Sequence, residues 1–241
     1  MADKTENSQW KQVRTTRASE DVVAQIKEAF FKGMKSGDWV GTEADLIERF
    51  GVSRITIRDA IRSLEVQGVV VVKVGAGGGL RVADAEPDRF ADALSVQLHL
   101  LGVSWSEVVE AMQTVEPLTA RLAAERSTPE QIQLMREAVE EAKGHVHDPH
   151  AFTECSLDFH LLVADASKNR ALRTSVRALR SVQAMKFEPN TSANIAHEVI
   201  DSHTKIIEAI ASGDGSAAEA AMREHLNSMN EDPRMAAHDQ R

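Results

Sequence analysis

Three arginines recur at every fourth position between residues 54 and 62, beside an apolar stripe with helical spacing. The arginines are Arg54, Arg58 and Arg62, and the apolar residues are Ile57, Ile61 and Leu64. This pattern predicts a helix that buries one side and holds three guanidinium groups on the adjacent flank. A guanidinium group can bind a guanine edge through two hydrogen bonds or pair with a phosphate, so the helix is a candidate DNA-contacting element. On spacing alone, a solvated surface face would be the commoner explanation.

The segments around this helix favour the DNA-contacting interpretation. Ser53 is a good N-cap because its hydroxyl can accept a hydrogen bond from a free amide of the first turn, and Gly68 suits the helix end. Residues 69–72 form a short β-branched run, residues 75–79 are rich in glycine, and residues 80–82 fit a returning strand. The order of helix, turn, helix and hairpin predicts a winged helix-turn-helix.

The nine histidines are the other candidate chemistry of the chain. They are His99, His145, His147, His150, His160, His197, His203, His225 and His238. A lone histidine on a helix is more often an ordinary surface or core residue than a ligand. Those at positions 145, 147 and 150 lie in a polar loop, where we expect them to be solvated.

A metal-dependent enzyme on a helical bundle is the alternative function that these histidines suggest. Di-iron bundles carry a glutamate three residues before a histidine, and none of the nine histidines has that neighbour. His197 and Glu198 begin a zincin-like pattern, but the position that needs the second histidine holds Asp201. The sequence therefore favours a protein that is not an enzyme.

Composition and charge limit how the protein can bind DNA and where in the cell it can be located. The 241 residues have a net charge of −9, of which residues 1–84 contribute +1 and the remainder −10. A nonspecific nucleic-acid coat is disfavoured, and DNA binding would have to be focused by the arginine cluster. Cys155 is the only cysteine, which is consistent with a reducing cytoplasm. The first residues have no apolar signal core and no run is long enough for a membrane span, so we expect a cytoplasmic protein with no membrane partner.

The chain divides into three predicted segments, and its fold class is mainly α. Residues 1–17 are a flexible tail, residues 18–84 the winged helix-turn-helix with its small β-hairpin, and residues 88–232 an all-helical bundle of six or seven helices. The acidic, proline-containing stretch 83–88 marks the boundary. Ser19, Glu20 and Asp21 are expected to open the first helix, and Pro117 lies inside a predicted helix, where proline can kink it.

The segment from about residue 21 to residue 82 resembles the N-terminal domain of the GntR family of bacterial transcription regulators. The match rests on Leu46, Phe50-Gly51-Val52-Ser53-Arg54, Thr56, Ile57-Arg58-Asp59-Ala60-Ile61-Arg62, Leu64-Glu65, Gly68-Val69-Val70 and Val82. The resemblance implies a third helix in the major groove and a wing against the minor groove. By position, Arg54 and Arg58 match the family's main DNA-contacting arginines, and Gly75 matches a contact at the tip of the wing. The full set of predicted DNA-contacting residues is Ser53, Arg54, Thr56, Arg58, Arg62, Lys73, Gly75 and Gly77. Ala44 stands where the family usually has an arginine in its second helix.

Residues 90–229 resemble the ligand-binding FCD-type domain of the FadR subfamily. The motifs are Val115-Glu116-Pro117, Leu122-Ala123-Ala124, Leu157-Asp158-Phe159-His160, Ala166-Ser167-Lys168-Asn169, His203 with Ile206-Ile207, and Met222 with His225-Leu226. Many members bind a divalent metal through one aspartate and three histidines, and the resemblance assigns the latter to His160, His203 and His225. Zinc or nickel suits such ligands.

Ser156 occupies the position of the family's aspartate. Three alternatives follow for the role of the three histidines. A three-histidine site could hold a metal with water at the open position. Glu154 or a carboxylate of a small molecule could complete the site. Alternatively, no metal binds and the histidines contact an effector directly.

The effector of this family is expected to be a small organic acid, and an acyl chain or coenzyme A ester is a further option. The family often has an arginine near the position of Met112 that binds the carboxylate of the effector, and a methionine cannot make this contact. Three later arginines, Arg173, Arg177 and Arg180, could replace it or could form a solvated face. The candidate effector-binding residues are Met112, Ser156, His160, Arg177, His203 and His225.

These features together predict a ligand-responsive transcription regulator, most simply a repressor. It would bind a palindromic double-stranded DNA operator as a homodimer, each winged helix taking one half-site.

Overall fold

The structure is a computed structural model that describes residues 16–75, 77–187 and 191–230. Its contacts divide the chain into two compact units, with the division after Glu86. The described residues are mainly helical, with one small antiparallel sheet in the first unit. The predicted fold class is therefore confirmed.

Among its described residues, the first unit has three helices and three strands in the order α1–β1–α2–α3–β2–β3. Their bounds are α1 Thr16–Phe31, β1 Trp39–Gly41, α2 Glu43–Phe50, α3 Arg54–Val66, β2 Val70–Lys73 and β3 Gly79–Val82. In the sheet, β3 lies between β1 and β2. Helix α1 starts three residues before the predicted Ser19, so Glu20 and Asp21 do not lie in its first turn. Of the predicted tail, residues 1–15 lie outside the described residues and the last two belong to α1.

Local signals explain where α2 and α3 begin. Thr42 and Asp45 form a reciprocal capping box, in which the Asp45 amide donates to the Thr42 hydroxyl and the Thr42 amide donates to the Asp45 carboxylate. Gly51 ends α2 in the left-handed conformation with φ 62°, and Ser53 then caps α3. The buried face of α3, with Ile57 and Leu64 fully enclosed, packs into the core of this unit.

The strand β1 was not predicted from the sequence, and it holds the wing in place. Trp39 pairs with Arg81 of β3. The guanidinium of Arg81 lies 5.4 Å from the centre of the Trp39 ring and donates a 3.0 Å hydrogen bond to the carbonyl of Gly37. A β-carbon on Gly79 would lie 2.5 Å from Cζ3 of Trp39. The indole therefore packs directly on the backbone of β3.

The second unit consists, in the part that the structure describes, of seven helices. They are α4 Pro87–Leu100, α5 Trp105–Arg126, α6 Pro129–Lys143, α7 Pro149–Ala166, α8 Arg170–Phe187, α9 Ala193–Ala211 and α10 Gly215–Asn230. Capping boxes at Ser104 and Thr128 begin α5 and α6. Met112, Phe159 and Leu226 are among the fully buried side chains of one continuous core. The predicted bundle of six or seven helices is confirmed.

Pro117 lies inside α5 without ending it. Proline has no amide hydrogen and cannot donate to the carbonyl four residues earlier, here that of Gln113. A guanidinium nitrogen of Arg223 on α10 lies 3.5 Å from this carbonyl oxygen, and the Gln113 side chain donates a 2.8 Å hydrogen bond to Asn227. Helix α10 therefore contacts α5 where the backbone lacks one hydrogen bond.

None of the helices in the described part of the chain combines the length and apolar character that a membrane crossing requires.

Candidate functional site

The N-terminal end of α3 presents Arg54 and Arg58 to solvent. Their side chains are 75% and 61% exposed, and the Nε atoms lie 3.4 and 3.7 Å from the two carboxylate oxygens of Glu43 on α2. Exposed ion pairs of this kind contribute little stability, so both guanidinium groups can exchange this partner for a phosphate or a base. No sequence pattern had pointed to Glu43, although it lies next to the unusual Ala44.

Ser53 and Thr56 have a structural role at the same end of the helix. The Thr56 amide donates a 3.2 Å hydrogen bond to the Ser53 hydroxyl, and their hydroxyl oxygens are 2.8 Å apart. Both side chains thus stabilise the first turn of α3, which also carries Arg54.

The rest of α3 and the wing carry the remaining predicted DNA-contacting residues. Arg58, Arg62 and Lys73 line one groove between α3 and the hairpin. Gly75 and Gly77 follow Lys73 in the turn, with φ 106° and 79°, values that favour glycine. The structure thus places the predicted arginines, the lysine and the glycine turn on the α3 and wing side of this unit.

The second candidate site is formed by three histidines that are distant in sequence. His160 on α7, His203 on α9 and His225 on α10 are 4%, 2% and 2% exposed. Nε2 of His225 lies 3.3 Å from Nε2 of His203 and 3.3 Å from Nε2 of His160. Two imidazole nitrogens bound to one zinc ion at about 2.1 Å are about 3.0–3.4 Å apart for octahedral to tetrahedral angles. The spacing of these nitrogens therefore fits a shared divalent metal.

The protonation of the cluster also suits metal binding. Burial, with the neighbouring imidazoles as a second cause, lowers the pKa of His203 and of His225 well below 6.5. Both rings are thus neutral near pH 7, which is the form that binds a metal.

Glu116 on α5 orients the third ring. Its Oε2 lies 2.5 Å from Nδ1 of His160, and both side chains are buried. A carboxylate that accepts from Nδ1 leaves Nε2 for the ligand, an arrangement that recurs around protein-bound metals. Sequence reasoning missed this role. A signal was present, because Glu116 lies four residues after Met112 and four before Ala120, on the buried stripe of α5.

Two polar atoms in the cluster have no hydrogen-bond partner among the described residues, namely Oε1 of Glu116 and Nδ1 of His225. Buried polar atoms are normally satisfied. Their lack of partners is consistent with a polar ligand or water in this region.

A cavity adjoins the cluster on the side of Ser156. Its volume is about 20 Å³, enough for about one water molecule. His160, Ser156, Thr153 and Gln183 contribute polar groups, and apolar side chains such as Phe152 and Val199 complete the lining. Ser156 therefore lies beside the first histidine ligand, where the resemblance places the missing aspartate.

Two of the predicted effector-binding residues, Met112 and Arg177, are not among the residues that line this cavity. Met112 is fully buried, and its sulfur accepts a 3.0 Å contact from the Gln183 amide nitrogen. Arg173 pairs with Asp165, and Arg180 pairs with both Glu154 and Asp158 of α7. Among the described residues that line the cavity there is no arginine, so Arg177 is not part of its lining. Because Glu154 pairs with Arg180, it is a poor candidate for the fourth metal ligand.

The first unit has three helices, a wing and exposed arginines, and a helical bundle with a buried histidine cluster follows it. This combination is typical of a class of DNA-binding transcription regulators. Comparisons with known proteins agree with this class. The profile described as bacterial regulatory proteins of the gntR family matches residues 18–79, and that of the FCD domain matches residues 107–228. The chain belongs to the GntR family, and its FCD domain fits the FadR-like subfamily.

Three similar proteins illustrate this membership. The HTH-type transcriptional regulator LutR of Bacillus subtilis is 30% identical over 82% of this chain and 92% of its own length. The galactonate operon transcriptional repressor of Escherichia coli K12 is 30% identical over 77% of this chain and 82% of its own. A solved structure of a Streptococcus agalactiae GntR protein matches with a TM-score of 0.62 and 25% identity, covering 88% and 98% of the two chains. The protein is a transcription regulator and not an enzyme.

Proposed function

We propose that this protein is a cytoplasmic repressor that binds a palindromic operator as a homodimer and responds to a small organic acid. The DNA-binding domain would be residues 18–84, and the effector-binding and dimerisation domain residues 88–232. The observation that carries the proposal is the convergence of His160, His203 and His225 beside a cavity, in a chain that also exposes Arg54 and Arg58. The name of the Escherichia coli galactonate operon repressor, a relative of this chain, supports repression over activation.

His160, His203 and His225 would hold a divalent metal through their Nε2 atoms, with Glu116 orienting the first of them. Zinc or nickel suits three imidazoles, and such an ion would supply positive charge in a buried site. Ser156 supplies no charge where the family has an aspartate. With the same ion bound, the site would be one unit more positive than an aspartate-containing site.

This difference in charge supports direct binding of an anionic effector. Met112 cannot offer the family's arginine–carboxylate contact, so the attraction for a carboxylate would come mainly from the metal-bearing histidine cluster. Thr153, Ser156 and Gln183 could donate hydrogen bonds to the rest of the molecule. The small cavity favours a small acid over an acyl chain or coenzyme A ester, and the lining side chains would have to separate on binding.

The effector would act through coupling between the two domains. Such couplings are typically 1–3 kcal/mol, which corresponds to a change of about 5–150-fold in operator affinity.

Fluorescence anisotropy with labelled DNA from the gene's own promoter tests the DNA-binding part. We expect a sequence-specific complex that Arg58→Ala weakens at least about tenfold, as expected for an arginine contacting a base or phosphate. Arg136→Ala, an exposed arginine on α6, serves as the matched control and should leave affinity unchanged. Absence of a specific complex, or equal loss in both variants, would contradict the proposal.

Two further measurements test the remaining parts. Light scattering should give the mass of a dimer. Elemental analysis of purified protein should give at least about one divalent metal per chain, and removal of this metal by a chelator should change operator affinity or the response to organic acids. A monomer, or a metal-free protein with an unaltered response, would overturn the corresponding part.

A further inference from the structure

A second group of metal-ligand side chains lies at the junction of α6 and α7, outside the histidine cluster. Glu141 comes from the last turn of α6, His145 from the turn that follows, and Cys155 from α7. The carboxylate oxygen, ring nitrogen and sulfur that they offer all lie within 4.8 Å of one another. His145 and Cys155 are half-buried and Glu141 is exposed. An ion could therefore reach this group directly from solvent.

The polar loop was expected to leave His145 solvated together with its two neighbours. The structure separates them, because His147 and His150 are exposed whereas His145 lies near the Cys155 thiol. Asp148, the nearest carboxylate in the loop, accepts a hydrogen bond from the Ala151 amide as the N-cap of α7. The fold thus selects one histidine of the loop to face the thiol.

The three side chains form a mixed set of sulfur, nitrogen and oxygen ligands. Thiolate and imidazole ligands favour zinc and similar thiophilic ions over magnesium and calcium, which prefer oxygen alone. Within the described part of the chain, the Glu141 carboxylate makes no ion pair with a cationic side chain and can turn toward an ion. The carbonyl end of the α6 dipole also favours a cation at this position.

We propose that Glu141, His145 and Cys155 form a second divalent-cation site, with zinc as its ion and water at the remaining position. Binding converts the Cys155 thiol into a metal-bound thiolate and releases one proton to solvent. Burial, and then the negative charges of Glu141, Asp158 and Glu154, raise the pKa of this thiol. The last two carboxylates are also paired with Arg180. Zinc therefore competes with a firmly held proton, and its affinity at this site should rise with pH.

Cobalt absorption provides a test that the histidine cluster cannot imitate. A thiolate bound to Co²⁺ gives a charge-transfer band in the near ultraviolet, and Cys155 is the only cysteine of the chain. We expect the band to develop on titration of freshly reduced full-length protein with Co²⁺ under anaerobic conditions. It should disappear on addition of excess Zn²⁺ and be absent from Cys155→Ser. A titration of the wild-type protein that gives no such band would overturn the proposal.

Thiol reactivity identifies the other two ligands. The rate at which Cys155 reacts with a disulfide reagent should fall about tenfold when Zn²⁺ is present at ten times its dissociation constant. Glu141→Gln and His145→Gln should remove most of this protection. His147→Gln, a change of the same chemistry two residues away, should retain it. Equal protection in all four proteins would assign the effect to zinc bound elsewhere and overturn the assignment. Circular dichroism checks that each variant is folded.

Discussion

Oε2 of Glu116 on α5 and Nδ1 of His160 on α7 lie 2.5 Å apart, although 44 residues separate them in the chain. This contact selects the nitrogen that His160 presents to His225. It also brings a negative charge into the core beside three imidazoles. An acid on the buried face of a helix is costly unless it has a partner, and here the partner is a candidate metal ligand.

Replacement of Glu116 by glutamine should weaken metal binding without removing a ligand. The amide keeps the shape of the side chain but loses the charge that orients His160 and strengthens it as a ligand. We expect zinc affinity, measured by competition with a chromophoric chelator, to fall about 10–100-fold. Glu110→Gln, an exposed position on the same helix, should have no effect. Equal affinity in the wild type and Glu116→Gln would show that the contact does not support the metal.

Ser156→Asp should have the opposite effect. It restores the ligand that the FadR-type pattern contains, one helical turn before His160. We expect metal affinity in the same competition assay to rise by at least about tenfold, because a charged fourth ligand is added. Organic acids should bind more weakly, since the open position is filled and one positive charge is neutralised. Ser156→Asn, which has a similar shape without the charge, separates size from charge. A variant that binds metal no more tightly than wild type would count against a metal position next to residue 156.

The metal-free protein should lose stability as the pH falls below about 6.5. The pKa of His203 and of His225 is lowered well below 6.5 in the folded state, so the unfolded state binds more protons over this range. Each of these histidines should reduce the free energy of unfolding by about 1 kcal/mol per pH unit below 6.5, with no loss above it. Urea unfolding at pH 7.5 and 5.5 measures this change. His225→Gln should reduce the pH dependence and His147→Gln should preserve it. A free energy of unfolding that is equal at the two pH values would contradict the expectation.

Glu43→Gln should increase affinity for DNA. Glu43 pairs with both Arg54 and Arg58 and would also lie near the phosphates that these arginines approach. Its neutralisation removes a competitor and a repulsive charge, so we expect a gain of a few-fold in anisotropy measurements at moderate salt, which shrinks as salt is raised. Glu48→Gln on the same helix is the control. Reduced affinity in Glu43→Gln would mean that the carboxylate positions the arginines for binding and does not compete with DNA.

Gly79→Ala should destabilise the winged unit. The residue has φ 152°, and a β-carbon there would overlap the Trp39 ring. We expect a loss of roughly 1–3 kcal/mol in the free energy of unfolding, as for other overpacked positions. Gly33→Ala is a useful comparison, because Gly33 has φ 129° and no atom lies within 4 Å of the position that its β-carbon would take. The difference between the two variants isolates the contact with Trp39. Equal effects would assign the loss to backbone conformation alone.

Most of the fold follows from local signals in the sequence. The cap at Ser53 and the period of the apolar residues after it predicted helix α3, and similar capping signals at Ser104 and Thr128 begin α5 and α6. The strand β1 was missed because three residues ending in glycine give no alternating pattern, and its stability comes from pairing with β3, which lies 40 residues later in the chain. Helix α1 begins at Thr16, earlier than predicted, so the acidic residues Glu20 and Asp21 did not mark its first turn.

The candidate sites were less accessible to sequence reasoning. The resemblance proposed His160, His203 and His225, but it could not show that their nitrogens lie at distances suited to one ion. The role of Glu116 and the proximity of His145 to Cys155 depend on how helices pack. Spacing along one helix does not determine which side chains of another helix they meet.

Because Pro117 has no amide hydrogen, α5 lacks one backbone hydrogen bond directly after Glu116. A helix that lacks one backbone hydrogen bond bends at a lower cost in free energy than an intact helix. A displacement of the His160 ring would move the Glu116 carboxylate, which lies directly before the residue where α5 lacks this hydrogen bond. A guanidinium nitrogen of Arg223 on α10 lies 3.5 Å from the Gln113 carbonyl oxygen, so a change of curvature in α5 at this point would also alter its contact with α10.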